Sequence, residues 1–206
     1  RGLVDMDRLP FLYSAGKGLQ EFENRIIYYE TSRGCPFRCG YCLSSIDKKV
    51  RFRSLETVRR ELQFFLDRKA VQVKLIDRTF NCSHDHAMEI WRYIKEHDNG
   101  ITNFHFEVAA DILSQEELAL LQQMRPGLVQ LEIGVQTTNG AVLEEIGRSP
   151  GGAQEADQSI ARIENAVRIL RGGRNIHIHL DLIAGLPLED YGSFQTSFNR
   201  VYAMKP

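Results

Sequence analysis

Apolar residues recur along this chain in two rhythms that take turns, a period near two and a period near 3.6, and the alternation predicts the elements. Residues 25–30 (RIIYYE) form a short β-branched and aromatic strand. Ser54 can cap a helix over 55–68, with Leu55, Val58, Leu62, Phe65 and Leu66 near helical spacing. A strand follows at 71–76, a helix after Ser83 at 84–97, and a strand at 103–109. Ser114-Gln115-Glu116-Glu117 is a capping box opening a helix that Pro126-Gly127 ends. Residues 128–135 are a strand. Helical stretches at 139–146 and 157–170 flank the loop Ser149-Pro150-Gly151-Gly152, and Gly172-Gly173 stops the second. The last strand spans 175–183, and a helix starts at Leu188. Five β/α units in strict alternation predict a parallel sheet with right-handed crossovers. Residues 1–24, with Gly16 and Gly18, read as an arm or linker. No repeat or low-complexity segment interrupts the pattern.

The strands also assign faces, because successive side chains point to opposite sides. In the last strand Ile176, Ile178, Leu180 and Leu182 oppose His177, His179 and Asp181. In the fourth, Val129, Leu131, Ile133 and Val135 oppose Gln130, Glu132, Gly134 and Gln136. In the third, Phe104, Phe106 and Val108 oppose Asn103, His105 and Glu107. A doubly wound sheet is apolar on both faces, and a closed barrel is packed inside. Three strands with one polar face fit neither. They predict an α/β fold of the partial, half-open TIM-like barrel type, with five to six parallel β/α units around a polar cavity. The functional rim of such a fold is the C-terminal end of its strands.

Composition narrows the function classes. The chain has 206 residues, enough for one domain; with 43% hydrophobic and 26% charged residues it reads as globular. A net charge of −1 supplies no overall field for nucleic acid or an anionic membrane. No apolar run reaches the ~20 residues of a membrane span. The chain begins at Arg1 and ends at Pro206 within a helical pattern. It reads as a piece of a longer protein, with a core domain at 25–206 truncated before its last β/α unit. Four cysteines, three of them clustered, resemble no disulfide framework, so a reducing, cytoplasmic setting is expected.

Those three cysteines carry the chemistry. Cys35, Cys39 and Cys42 follow the first strand in a C-x3-C-x2-C spacing, on a loop loosened by Gly34, Pro36 and Gly40. Three thiolates are one short of a closed four-coordinate site. An iron–sulfur cluster so held keeps one iron open, as a catalytic centre requires.

This motif, with Tyr41 before the third cysteine, resembles the radical S-adenosylmethionine (SAM) superfamily, and the resemblance extends from about residue 26 to 189. It implies a partial (β/α)6 barrel and a [4Fe–4S] cluster on Cys35, Cys39 and Cys42, with SAM chelating the fourth iron. One electron would cleave SAM to methionine and a 5′-deoxyadenosyl radical, which abstracts hydrogen from a small-molecule substrate. It also implies an electron donor such as a flavodoxin or ferredoxin. By the same resemblance Tyr41 lies at the adenine edge, Asp77 meets the SAM amino group, and Glu107 meets the ribose hydroxyls. Gly134-Val135-Gln136 followed by Arg148 is similar to the coproporphyrinogen-oxidase-like and methylthiotransferase-like branches, in which the glutamine and arginine approach the ribose and carboxylate of SAM. Asp181-Leu182-Ile183-Ala184-Gly185-Leu186-Pro187 resembles the fifth-strand motif that passes adenine, with Asp181 facing the cavity. The stretches 30–37 and 77–81 look most like the branch with an N-terminal cobalamin-binding domain, to which the anaerobic Mg-protoporphyrin IX oxidative cyclase belongs. That domain would precede residue 1. The resemblance implies an oxidoreductase or a methyl- or methylthio-transferase, and names no general base.

Two other readings compete. Cys82, His84 or His86 could complete a structural zinc site in a non-catalytic interaction domain. Alternatively, the chain is an inactive fragment that keeps the cysteines but cannot close the barrel. Tyr41 could be packing, Asp77 a turn cap, Glu107 a partner of His105, and Arg148 a complement to a helix C-terminus.

Overall fold

The computed structural model describes residues 4–14, 19, 22, 25–149 and 151–206; Gly16, Gly18 and Pro150 lie outside the described residues. Five parallel strands form one sheet: β1 (Ile27–Tyr29), β4 (Gln72–Leu75), β5 (Asn103–Val108), β6 (Val129–Gln136) and β7 (His177–Leu182), in that spatial order. Each neighbour pair is parallel and sequential, as helical crossovers require. The crossovers are helices α1 (Leu55–Asp67), α2 (His84–Glu96), α3 (Gln115–Leu121), α4 (Gly140–Glu145) and α5 (Ala153–Gly173), and α6 (Tyr191–Ala203) follows β7. This is the partial barrel that the alternation predicts.

The apolar strand face makes the core. Val129, Leu131, Ile133 and Val135 of β6 are buried, while Gln130, Glu132, Gly134 and Gln136 stay half-exposed on the inner wall. Trp91, Phe80 and Phe106 pack together beneath α2, with Phe80 and Phe106 at 4.4 Å. Buried aromatic rings of this kind dominate core energetics. Among the described residues, no helix is long and apolar enough to cross a membrane.

The structure departs from the sequence reading at four places. Residues 4–14 pack rather than trail: Phe11 sits edge-on to Tyr29, Phe64 and Phe65. Tyr13 Oη donates to the Tyr28 carbonyl at 2.7 Å and accepts from the Tyr28 amide, capping the free edge of β1. An antiparallel hairpin, β2 (Ser32–Arg33) with β3 (Arg51–Phe52), brackets the cysteine loop. Helix α3 stops at Leu121, one turn before Pro126-Gly127. Helix α5 runs through Gly172-Gly173 and ends instead at Arg174, which takes the left-handed φ of 52°.

A three-cysteine loop facing a polar barrel wall

The cysteine loop is fixed by backbone. Cys35 N donates to Asp47 O at 3.0 Å, and Gly40 N donates to Ile146 O at 2.8 Å, just past the end of α4. Gly34 sits at φ 102°, and a Cβ there would lie 2.6 Å from the Lys49 carbonyl, so only glycine lets the two ends of the loop approach. Cys35 and Cys39 are buried and Cys42 is half-buried; all are free thiols.

A cavity of about 210 Å³ opens above them. Cys35, Cys39, Cys42, Tyr41 and Thr79 line one side, and Glu107, Glu132, Gln136, Arg148 and Asp181 line the other. The structure therefore brings five of the six SAM-contact candidates to the same space as the cysteines. Arg148 Nη2 donates to the Gly134 carbonyl at 3.1 Å, and its guanidinium lies 5.3 Å from the Phe37 ring centre. Gln136 occupies a left-handed φ of 71° at a bulge in β6. Its amide folds back over Gly134, where a Cβ would meet Nε2 at 2.1 Å. Strained backbone of this kind re-aims a side chain toward a site.

Asp77 is the exception. It is fully buried and outside the cavity lining. Its carboxylate accepts from Thr31 Oγ1 and Ser32 Oγ at 2.6 Å each and from Thr31 N at 3.1 Å. Burial raises its pKa, against these hydrogen bonds. Asp77 anchors β2 to the end of β4, and the structure does not place it to meet a SAM amino group. Because the Thr31 proton goes to Asp77, His86 Nε2 donates to Thr31 Oγ1 (3.1 Å), which fits a neutral imidazole whose pKa burial pushes down to about 4.

The zinc ligand set is likewise dispersed. His86 is held against Thr31 and Phe52, and His84 lies 3.3 Å from the Glu117 carboxylate. Cys82 neighbours Cys35, and burial, then the Cys35 charge, pushes its thiol up to about 11. Among the described residues, no three His, Cys, Asp or Glu side chains converge on a point that could hold a single ion. Three thiols on one loop held by backbone hydrogen bonds, all lining one cavity, suit a cluster, whose irons share the ligands out.

Sequence reasoning assigned no role to Lys74, Thr79, Arg78 or Phe37, nor to Glu132, although alternation put Glu132 on the polar face. Lys74 Nζ donates to Glu132 at 2.9 Å and lies 3.3 Å from Glu107, bridging two carboxylates that line the cavity. His105 Nε2 lies 3.0 Å from Glu132 but off the hydrogen-bond direction. Burial alone would raise the Glu132 pKa; Lys74 and His105 outweigh it, and the net shift is downward. Asp181 is shifted upward by burial and by Glu132. A depressed carboxylate contributes stability above its unfolded pKa and loses it as pH falls through the folded value. Lys74→Met is therefore expected to cost about 1 kcal/mol near neutrality. The deficit should shrink as the carboxylates protonate, which thermal melts across the acidic range would show. A deficit independent of pH would mean that Lys74 acts through packing alone.

A model of the Radical SAM superfamily matches residues 29–201. An uncharacterized methyltransferase from Pyrococcus horikoshii is 27% identical over 130 residues, covering 62% of this chain and 28% of that protein. The fold is similar to that of the radical S-adenosylmethionine methyltransferase TsrM from Kitasatospora setae, solved with cobalamin and a [4Fe–4S] cluster bound (TM-score 0.76, 19% identity, 91% of this chain and 36% of that one). It is also similar to the coproporphyrinogen III oxidase HemN from Escherichia coli (TM-score 0.61, 18% identity, 88% of this chain and 42% of that one). The chain thus spans about a third of the length of the relatives it matches.

Proposed function

We propose, from the premise that this chain belongs to the radical SAM superfamily, that its cavity seats SAM between the three cysteines and the polar wall. The observation that carries the reading is the convergence of Cys35, Cys39 and Cys42 with Glu107, Gln136, Arg148 and Asp181 on one cavity. When bound, a [4Fe–4S] cluster on the cysteines supplies the electron that cleaves SAM to methionine and a 5′-deoxyadenosyl radical. The chain's own groups bind and orient. Arg148 offers a fixed cation for the SAM carboxylate, held by Phe37 and Gly134. Glu107 offers oxygens to the ribose hydroxyls while Lys74 holds it in place. Gln136 adds a neutral donor and acceptor. Tyr41 gives an aromatic face to adenine. Burial and neighbouring Glu132 disfavour the charge on Asp181, and a cationic ligand such as a sulfonium would favour it.

Methyl transfer is the reaction we favour over oxidative cyclisation, because the Pyrococcus relative is named a methyltransferase. In this reading a cobalamin-binding domain precedes residue 1 in the full-length protein, and a soluble electron donor feeds the cluster. With the full-length protein, cobalamin uptake and formation of S-adenosylhomocysteine support methyl transfer; 5′-deoxyadenosine alone supports the cyclase-like course.

The direct test of the cavity is anaerobic reconstitution with iron and sulfide, reduction, and electron paramagnetic resonance with and without SAM. A reduced [4Fe–4S] signal perturbed by SAM is expected. Zinc on the cysteines, with no cluster, would sink the reading. In the same assay Gly134→Ala should displace the Gln136 amide and weaken SAM binding about tenfold, the worth of one good hydrogen bond. The clash is with the end of a flexible side chain, so the fold should survive. Unchanged SAM affinity would remove Gln136 from the site.

A further inference from the structure

We propose that Thr79 is a positioning residue that raises the reduction potential of the cluster through a hydrogen bond to the sulfur of Cys35. The proposal rests on the cluster reading above and adds how this chain adjusts the cluster's affinity for an electron. Thr79 Oγ1 lies 3.6 Å from Cys35 Sγ, within hydrogen-bond reach of sulfur. The same hydroxyl donates to the Arg78 carbonyl at 2.8 Å. A hydroxyl has one proton to give and two lone pairs to receive. In the free-thiol form both contacts are satisfied in series: Cys35 donates its weak S–H to Thr79, and Thr79 donates onward to Arg78. A sulfur that ligates iron is a thiolate and only accepts. The Thr79 proton then faces two acceptors, of which the charged sulfur forms the stronger bond. Rotation about one C–O bond turns it from the carbonyl to the sulfur.

The surroundings hold this contact in place. Thr79 is 6% exposed and Cys35 8%, so water competes little for either group and the bond is strong for its type. Two residues before Thr79, the Asp77 carboxylate accepts from Thr31 and Ser32, on the segment that leads into Cys35. After Thr79, Cys82 N donates to the Thr79 carbonyl at 3.1 Å. Phe80 is buried against Trp91 and Phe106, and Asn81 exchanges two bonds of 2.9 Å with the backbone of Ala109. Buried Asp77 thus has a role other than meeting SAM: it fixes the spacing between the Cys35 segment and the Thr79 loop. The sign of the effect follows from charge. Reduction adds one negative charge that the cluster shares with its sulfurs, and a donated hydrogen bond stabilises the more negative state. Hydrogen bonds to the sulfurs are among the groups that set such potentials.

The test compares wild type with Thr79→Val, which removes the hydroxyl and nearly keeps the shape, and with Thr79→Ser, which keeps the hydroxyl and removes the methyl. Each is reconstituted with its cluster without SAM and titrated potentiometrically with low-potential mediators, the reduced cluster being followed by electron paramagnetic resonance. Reduction of the valine variant is expected to be about tenfold less favourable, a fall of about 59 mV for one electron. The serine variant should stay at the wild-type potential. A packing role predicts the reverse order, because serine loses the buried methyl and valine keeps it. Equal potentials in all three proteins would overturn the proposal, and so would a serine variant displaced as far as valine. A valine variant that folds yet takes up no cluster would overturn it too, since the hydroxyl would then hold the iron rather than set its potential. Resonance Raman spectra in heavy water give a second readout. The iron–cysteine stretch should shift in wild type and in the serine variant, and less in the valine variant. No shift in wild type would overturn the proposal whatever the variants do. Absence of any cluster signal in wild type would instead condemn the cluster reading, so the two failures are distinct.

Discussion

Cys39→Ala is expected to lose the reconstituted cluster entirely, with iron falling from about four per chain to a trace and the SAM-sensitive resonance vanishing. The folded chain should remain. Cys39 is buried, but the change removes one sulfur from a loop whose shape comes from backbone bonds at Cys35 and Gly40 and from the glycine at position 34. A thiol-to-methyl change of this sort costs about 1 kcal/mol. Cys35→Ala and Cys42→Ala should behave alike, because a cluster with only two thiolate anchors has no closed hold on the protein. Cys82→Ala is the informative control. Its thiol lies near Cys35 but outside the cysteine loop and outside the cavity lining. The variant should keep full iron and the full response to SAM. If Cys82→Ala instead abolished metal binding, four sulfurs would be ligating, the open position would not exist, and the catalytic reading would fail.

The inner wall was legible because strand alternation is a strict geometric rule. Glu107, Gln136 and Asp181 occupy the inward parity of their strands and line the cavity. Asp77 lies two residues past the end of β4, where alternation no longer applies. There its carboxylate turns to Thr31 and Ser32, while the next two residues, Arg78 and Thr79, line the cavity. Within β4, Lys74 has the parity opposite to buried Val73 and Leu75, and alternation alone nominates it for the inner wall. The α5 terminus was illegible for a different reason. Glycine usually supplies the left-handed residue that ends a helix, but here Gly172 and Gly173 stay helical and Arg174 turns. A Cβ at position 173 would meet Asn175 Oδ1 at 2.5 Å, so the second glycine serves the close return of Asn175, whose amide holds the carbonyls of Leu121 and Met124. Such a tertiary demand leaves no periodic trace. Nor does the β2–β3 hairpin, four residues long in all, too short for alternation to register.

That hairpin hangs on a buried ion pair, and Glu61→Ala is expected to produce a large loss of stability. Arg53, next to β3, and Glu61, on α1, are both more than nine-tenths buried. Arg53 Nη1 donates to both Glu61 oxygens at 2.9 and 2.7 Å, and Tyr29 Oη donates to Oε2 at 2.7 Å. Removing the carboxylate leaves a buried guanidinium uncompensated, with its Nε already lacking a partner, and a buried phenol without an acceptor. Breaking one side of such a pair costs about 3–5 kcal/mol, a large share of the ~5–15 kcal/mol that holds a domain together. For a chain of this size the melting temperature should fall by about 10 °C. The damage should reach the metal site, because Arg53 N also donates to Thr31 O and so ties β3 to the strand that leads into Cys35. Cluster occupancy should fall with the melting temperature. The double variant Arg53→Met/Glu61→Leu separates the causes. Replacing the whole pair with apolar groups of similar volume removes the stranded charge, so most of the lost stability should return. If the single variant melts within a degree or two of wild type, the pair is not what joins α1 to the hairpin. If the double variant is as weak as the single, the loss comes from packing rather than from the unpaired charge.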